Sequence, residues 1–257
     1  MKIRILGAHN SETRHARLPG LLIDGLLALD AGSLSSSLSL GEQLALEAVL
    51  LTHRHFDHLR DIPTIGMNCF LNGGNLAVYG SPDTRRALAD HVLNGEIYSS
   101  FMERSFFTFH EVREPCSFDV GRYRVMALPV SHSVPAQGYL VSTAGHSLFY
   151  TGDTGPGLAE TWQKAEPELL IIEVTAANQW TEYMRGALHL TPELLKEELL
   201  DFRRLKGYLP HVVTVHMNPS QEATIRRELT ELALELGADI TPGAEGLEIC
   251  LGVPSPG

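Results

Sequence analysis

The sequence predicts a mixed α/β protein in which two β-sheets pack together and helices cover their outer faces. Short apolar runs typical of strands recur along the chain, and the early ones follow one another across short turns, as antiparallel neighbours do. The later runs alternate with helical patterns, and that mixture favours two packed sheets. Apolar residues make up 44% of the 257 residues, enough for a large core. No linker or repeat is visible, so we expect one domain over residues 1–257.

Hydrophobic periodicity and capping residues define the individual elements. Pro192 begins one helix with Thr191 as its N-cap, and Ser220 is expected to cap a later helix in the same way. A doubly wound dinucleotide fold is disfavoured, because no Gly-rich phosphate turn follows the first strand. Helices are predicted at residues 81–93, 192–205 and 220–236, and strands at residues 3–6, 21–24, 26–30, 48–52, 76–79, 106–110, 123–130, 138–142, 147–151, 169–174, 212–215 and 247–251.

The composition limits the classes of partner. A formal net charge of −11 argues against a broad binding surface for long nucleic acids. It does not exclude a small anionic substrate, because bound cations would dominate the local field. No apolar run is long enough to span a membrane, and the N-terminus lacks the apolar stretch of a signal peptide. We therefore expect a cytoplasmic location and no membrane partner.

The most informative motif is H-x-H-x-D-H, formed by His53, His55, Asp57 and His58 after an apolar run that ends at Thr52. Imidazole and carboxylate groups suit zinc and related divalent ions. In an extended segment His53 and His55 point the same way, because side chains alternate. The chain then turns, so Asp57 and His58 can face a second point nearby. One short loop can therefore supply ligands to two ions.

Two ions need further ligands, and three candidates stand where later apolar runs end. His132 follows one run, Asp153 lies between glycines after another, and His216 follows a third. A rigid sheet can hold such residues in place while the cleft stays open to substrate.

In this order, the motif and the three later residues resemble the metallo-β-lactamase-fold hydrolases. Within that superfamily the chain is most similar to class II cyclic-nucleotide phosphodiesterases and the related tRNA 3′-processing endonucleases. The resemblance implies a four-layer αβ/βα sandwich with a dinuclear metal site between the sheets. It is carried, besides the motif itself, by residues 27–33, 132–140, 150–155, 172–175, 189–192 and 216–219.

The resemblance also implies how the ligands divide between two divalent ions. Zinc is the first expectation, and manganese or iron also suit such donors. One ion would be held by His53, His55 and His132, the second by Asp57, His58 and His216, and Asp153 would bridge both.

The implied chemistry is attack of a metal-bound hydroxide on phosphorus, with Asp57 as a ligand that also orients the nucleophile. His189 is the candidate general acid, because it lies beside a helix N-terminus, where anions bind well. Glu173 ends an apolar run and matches the carboxylate partner that would keep His189 protonated. The alternative is that His189 only caps the helix region and Glu173 is a solvated strand end.

The best-fitting substrate is a small anionic phosphodiester, such as a 3′,5′-cyclic nucleotide or a cyclic ribose phosphate. Alternatives are a nuclease similar to the tRNA 3′-processing endonucleases, and a metal-binding sensor without turnover. The basic Gly/Pro-rich arm that grips tRNA is missing from the sequence, which disfavours the first alternative. A homodimer is compatible with the resemblance, because dimers are common in related proteins.

For some residues and segments the sequence allows more than one structural role. Asp30 can support a metal ligand or make a turn, and Asp61 can support a ligand or cap a helix. Residues 66–74 and 94–107 carry apolar and aromatic side chains that suit a pocket wall, a lid, a dimer contact or core packing.

Overall fold

A computed structural model describes residues 1–252 of the chain. Two seven-stranded sheets lie face to face within this part, with helices on both outer faces. The predicted four-layer αβ/βα sandwich is thereby confirmed. The strands are β1 (Lys2–Gly7), β2 (Gly20–Ile23), β3 (Leu27–Leu29), β4 (Ala48–Leu50), β5 (Leu76–Gly80), β6 (Phe107–Glu111), β7 (Cys116–Val120), β8 (Tyr123–Pro129), β9 (Gln137–Thr143), β10 (His146–Tyr150), β11 (Leu169–Glu173), β12 (His211–Val215), β13 (Ile240–Pro242) and β14 (Glu248–Cys250).

Each sheet combines antiparallel and parallel pairing. The first has the order β14-β1-β2-β3-β4-β5-β6 and the second β13-β12-β11-β10-β9-β8-β7. Pairing is antiparallel from β14 to β3 and parallel from β3 to β6. In the second sheet it is antiparallel from β7 to β10 and parallel from β10 to β13. Neither β7 nor β13 is among the predicted strands.

The core has three parts, which correspond to the three interfaces between the four layers. Side chains from both sheets, such as Ile5 and Ile171, form the central part. Helices cover the outer faces, where Ile65 packs on the first sheet and Phe202 on the second. Strand β11 is buried on both faces, which explains its continuous apolar run in the sequence.

The helices confirm part of the prediction. Thr191 caps the helix after it, with its hydroxyl accepting a bond from the Leu194 amide at 3.4 Å. The prediction for Ser220 is wrong: its hydroxyl donates to Asn218 Oδ1 at 2.6 Å, and the next helix begins at Glu222. The helices are α1 (Leu34–Ser37), α2 (Leu40–Leu44), α3 (Phe56–Leu59), α4 (Ile62–Asn72), α5 (Pro82–Ala87), which continues into a π-helical turn, α6 (Ala159–Lys164), α7 (Thr181–Ala187), α8 (Pro192–Lys206) and α9 (Glu222–Leu236).

The two segments with several interpretations contribute to core packing. Phe101 is 2% exposed, and its ring fills the space beside Gly66 on α4. On the surface above them lies a cavity of about 360 Å³ lined by Met67, Phe70 and Phe106, among others.

The homodimer stays a prediction. Within residues 1–252, no helix has the length and apolar character needed to cross a membrane.

The chain reaches the site from the carboxyl ends of strands in both sheets. Neighbouring parallel strands end at the same edge, so the loops that follow them meet. The candidate site residues at these strand ends are Asp30 after β3, His53 after β4, Asp153 after β10, Glu173 at the end of β11 and His216 after β12.

Glu198 on α8 fastens one of these loops. Its carboxylate is buried and accepts bonds from the Gly157 amide at 2.6 Å, the Leu158 amide at 3.2 Å and Trp162 Nε1 at 2.9 Å. The loop after Asp153 is therefore tied to the helix that follows His189. A buried carboxylate that accepts several hydrogen bonds holds such a connection rigidly, because its loss would leave every one of those buried donors without an acceptor.

We expect Glu198→Ala to lower the free energy of unfolding by about 3–5 kcal/mol, because it leaves buried donors without an acceptor. Urea unfolding followed by circular dichroism measures the change. Glu197→Ala is the matched control, since the neighbouring Glu197 makes an exposed ion pair with Arg185 and its loss should leave stability close to wild type. Equal losses in the two variants would contradict the assigned role of Glu198.

Candidate metal centre

The structure brings all seven sequence-predicted ligands to one place between the sheets. They form two groups that share Asp153, and the candidate ligand atoms of each group lie within 4.8 Å of one another. The first group is His53, His55, His132 and Asp153, and the second is Asp57, His58, Asp153 and His216. This is the division that the resemblance implies.

Distances in the first group fit a shared ion. His132 Nε2 lies 3.2 Å from His55 Nδ1. Asp153 Oδ2 lies 3.8 Å from His53 Nε2 and 3.9 Å from His132 Nε2. Ligands of a tetrahedral zinc site are about 3.4 Å apart, given bonds of about 2.1 Å. The donor set therefore has nearly the spacing that a bound ion requires.

The second group has the same spacing around the other oxygen of Asp153. Its Oδ1 lies 3.0 Å from His58 Nε2 and 3.3 Å from His216 Nε2. Asp57 Oδ2 lies 3.5 Å from His58 Nε2 and 3.4 Å from His216 Nε2. Because each oxygen of Asp153 faces a different group, this carboxylate is placed to bridge two ions.

Buried polar atoms without hydrogen-bond partners provide a further test of whether the residues fit metal. Within residues 1–252, His53 Nε2, His58 Nε2 and Asp153 Oδ1 are all buried and make no hydrogen bond of proper geometry, although the last two lie 3.0 Å apart. Such atoms are costly unless something else satisfies them. All three point into the two groups, so divalent cations are the partners that the donor chemistry fits.

The charges around the groups favour cations. Burial lowers the pKa of His53 well below its usual value, so the ring is neutral and offers a lone pair. Burial also acts to lower the pKa of His58, but Asp153 and Asp30 outweigh it and raise that pKa well above normal. The carboxylates thus create a negative field at the point where the second ion would sit.

Asp30 supports His58, which decides between its two interpretations. Its carboxylate accepts a bond from His58 Nδ1 at 2.7 Å, from the Thr52 amide at 2.8 Å and from the Tyr150 hydroxyl at 2.8 Å. Occupying Nδ1 leaves His58 Nε2 for a metal. Sequence reasoning missed Thr52 and Tyr150, although both stand at ends of predicted strands.

Asp61 takes neither of its two expected roles. Its carboxylate accepts from the Ser35 amide at 2.7 Å and from Arg60 Nε at 3.1 Å. It makes no side-chain bond to α4, the helix that it precedes. The carboxylate instead ties α1 to the loop that carries the ligands.

Backbone geometry at the site is unusual. Asp30 and His216 have φ angles of 58° and 66°, in the left-handed region that non-glycine residues rarely adopt. Gly152 has a φ of 62°, and a Cβ there would lie 2.7 Å from the side chain of Thr52. Strained residues of this kind persist where the surrounding structure holds them, often at functional sites.

Glu173, which is buried, and His189, which is half-buried, form a pair beside the second group. His189 Nδ1 lies 2.7 Å from Glu173 Oε1, and Glu173 is 0% exposed. Burial alone would lower the pKa of His189, but the Glu173 carboxylate outweighs it and raises that pKa to about 9. The interpretation of Glu173 as a solvated strand end is therefore wrong.

The Glu173 carboxylate is fully used as an acceptor. Its Oε1 also accepts from the Thr154 amide at 2.9 Å. Its Oε2 accepts from the Thr175 hydroxyl at 2.6 Å and the Leu190 amide at 3.2 Å. With all its lone-pair directions engaged, Glu173 is fixed as a hydrogen-bond acceptor rather than free as a metal ligand. Thr175 is a further site residue that the sequence did not single out.

The family model described as "Beta-lactamase superfamily domain" matches residues 21–229. Ribonuclease Z from Pyrococcus abyssi (strain GE5 / Orsay) is 31% identical over 100 residues, which is 38% of this chain and 31% of that protein. The matched stretch therefore spans less than a third of that relative.

Solved structures share the fold over nearly the whole chain. Unliganded yeast PDE1 superposes with a TM-score of 0.83 at 17% identity, covering 97% of this chain and 99% of that one. The metallo-β-lactamase-fold protein YhfI from Bacillus subtilis gives a TM-score of 0.76 at 16% identity, with 96% and 98% covered. At such identities the likeness concerns the fold, whereas the family match covers most of the sequence. The chain therefore belongs to the β-lactamase superfamily and has the metallo-β-lactamase fold.

Proposed function

We propose that the protein is a dinuclear metallohydrolase that cleaves a small cyclic phosphodiester, such as a 3′,5′-cyclic nucleotide. The observation that carries this proposal is the Glu173–His189 pair beside the seven-residue cluster. A protonated imidazole is useful where a poor leaving group, such as an alkoxide, must accept a proton. The fold shared with yeast PDE1, a class II phosphodiesterase, supports the same reaction.

The proposed metal ligands are His53, His55 and His132 for one ion, Asp57, His58 and His216 for the other, and Asp153 for both. Zinc is our first choice, with manganese or iron as alternatives. Bound there, two cations would acidify water and stabilise negative charge on phosphoryl oxygens.

Protein side chains would orient the attacking water and protonate the leaving group. We assign Asp57 a second role, the orientation of the attacking water, because its Oδ2 lies 3.5 Å from His58 Nε2 and 3.4 Å from His216 Nε2 and would sit beside the second ion. His189 Nδ1–H donates a hydrogen bond to Glu173 Oε1, and within the described residues no hydrogen bond from its Nε2 to the protein is found. We assign the Nε2 proton to the leaving oxygen, which makes His189 the general acid.

Charge supports a small substrate. The net charge of −11 opposes binding along a nucleic acid, whereas the paired cations would attract a single phosphate. The similarity to ribonuclease Z favours a second candidate, a nuclease acting on tRNA 3′ ends. The two candidates share the site and differ in the size of the substrate.

A substrate screen tests the proposal. The purified chain, loaded with zinc or manganese, is assayed against cyclic nucleotides, cyclic ribose phosphates, bis(p-nitrophenyl) phosphate and a tRNA precursor. We expect turnover of a small cyclic phosphate and none with Asp153→Asn. Cleavage of the tRNA precursor alone would favour the nuclease, and no turnover with two ions bound would favour a binding protein.

We expect His189→Ala to slow cleavage of a substrate with an alkoxide leaving group about 10²–10⁴-fold, because the proton donor is lost. The loss should be much smaller with p-nitrophenolate, which leaves without a proton. Steady-state kinetics on both substrates measure the difference, and metal analysis confirms full loading. Unchanged turnover of the alkoxide substrate at full metal occupancy would remove His189 from the mechanism.

The pH profile should show the protonation of His189. Because Glu173 raises the pKa of His189 to about 9, the donor is protonated below that pH and the rate falls as pH rises through about 9. In Glu173→Gln the carboxylate is absent, so the pKa of His189 falls and the loss of rate occurs at lower pH. Rate measurements from pH 6 to 10.5 locate this loss of rate in both proteins. A loss at the same pH in both would assign the titration to a group other than His189.

A further inference from the structure

The hydroxyl of Thr175 lies between the proton-donor pair and the second group of candidate ligands. Its Oγ1 is 2.6 Å from Glu173 Oε2 and 2.8 Å from His216 Nδ1. It is 3.4 Å from His189 Nδ1, a longer contact, because that nitrogen is bonded to Glu173. Thr175 is 5% exposed, so protein groups rather than solvent decide where its proton goes.

The direction of these bonds follows from counting protons. A hydroxyl has one proton to donate, and an ionised carboxylate can only accept. The proton of Thr175 is therefore directed to Glu173, and a lone pair faces His216. Nδ1 of His216 must then be the donor, which leaves the lone pair of this imidazole on Nε2. That nitrogen lies 3.3 Å from Asp153 Oδ1 and 3.4 Å from Asp57 Oδ2.

The backbone holds Thr175 between the two loops concerned. Its amide donates to Leu190 O at 2.9 Å, beside His189. Its carbonyl accepts from the Asn218 amide at 3.0 Å, two residues beyond His216. His216 itself has a φ of 66°, so its ring is positioned from an uncommon backbone conformation and depends on outside contacts.

We propose that Thr175 is a positioning residue that fixes the Nδ1–H tautomer of His216 and connects this candidate ligand to Glu173. One buried carboxylate then orients both the proton donor, through Oε1, and one ligand of the second ion, through Oε2 and Thr175. The inference rests on the proposed function to the extent that a divalent ion binds at the second group. It adds a connection between metal binding and proton donation.

The test compares Thr175→Val, which keeps the shape and removes the hydroxyl, with Thr175→Ser, which keeps the hydroxyl. Thr214→Val is the matched control, because Thr214 is buried two residues before His216 and its hydroxyl has no hydrogen-bond partner in the described part of the chain. Circular dichroism checks folding, and Thr175→Ala replaces the valine variant if that one does not fold.

Zinc affinity is measured on metal-free protein by competition with a chromophoric chelator. We expect Thr175→Val to weaken one of two binding steps about 10–100-fold and to leave the other unchanged, as found when a partner of a ligating histidine is lost. Thr175→Ser and Thr214→Val should bind both ions as wild type does.

The tautomer is read independently by NMR of protein with ¹⁵N-labelled imidazoles, in which His216→Gln identifies the signals of His216. We expect an Nδ1–H ring in metal-free wild type and in Thr175→Ser, and a mixture of tautomers in Thr175→Val. Two zinc ions bound with wild-type affinities by Thr175→Val, or an unchanged tautomer, would overturn the inference. A wild type that binds two ions without cleaving any phosphodiester would instead overturn the proposed function and leave the positioning role intact.

Discussion

Burial of the Asp153 carboxylate among imidazoles is the constraint on which the rest of the site depends. Asp153 is 2% exposed, and each of its oxygens faces a different group of histidines. An isolated buried charge costs several kcal/mol or more, so the arrangement is stable only with compensating positive charge. Burial alone would raise the pKa of Asp153, but His216 and His58 outweigh it and hold that pKa well below its usual value. The loops that follow the strands carry the histidines that surround this carboxylate.

The candidate metal ligands could be predicted from short stretches of sequence alone. His53 to His58 form a dense motif, and His132, Asp153 and His216 each follow an apolar run. Sheet edges place such residues together, because neighbouring strands end on the same side. The layer architecture was also predictable, because hydrophobic periodicity indicates which face of each helix or strand is buried.

Other parts of the structure depend on contacts that a sequence does not contain. Thr52, Tyr150 and Thr175 are ordinary residue types, and only their distances to carboxylates and imidazoles give them a role. Asp30 had two reasonable interpretations until its 2.7 Å contact with His58 was known. Strand β7 alternates apolar and polar residues, a signal that the prediction overlooked, whereas β13 has only three residues, all half-buried, and so carries no readable periodicity.

The spread of the ligands along the chain also sets when the centre can be completed during synthesis. Asp57 faces His216 across a separation of 159 residues, and His55 faces His132 across 77. A ribosome releases strands β1 to β6 of the first sheet before any strand of the second, and β14 completes the first sheet only at the end. The H-x-H-x-D-H loop is thus made long before its partners, while β12 and the loop after it arrive near the end. The candidate metal site is consequently among the last features of the nascent protein to form, and a translation product that ends before His216 would carry only part of it.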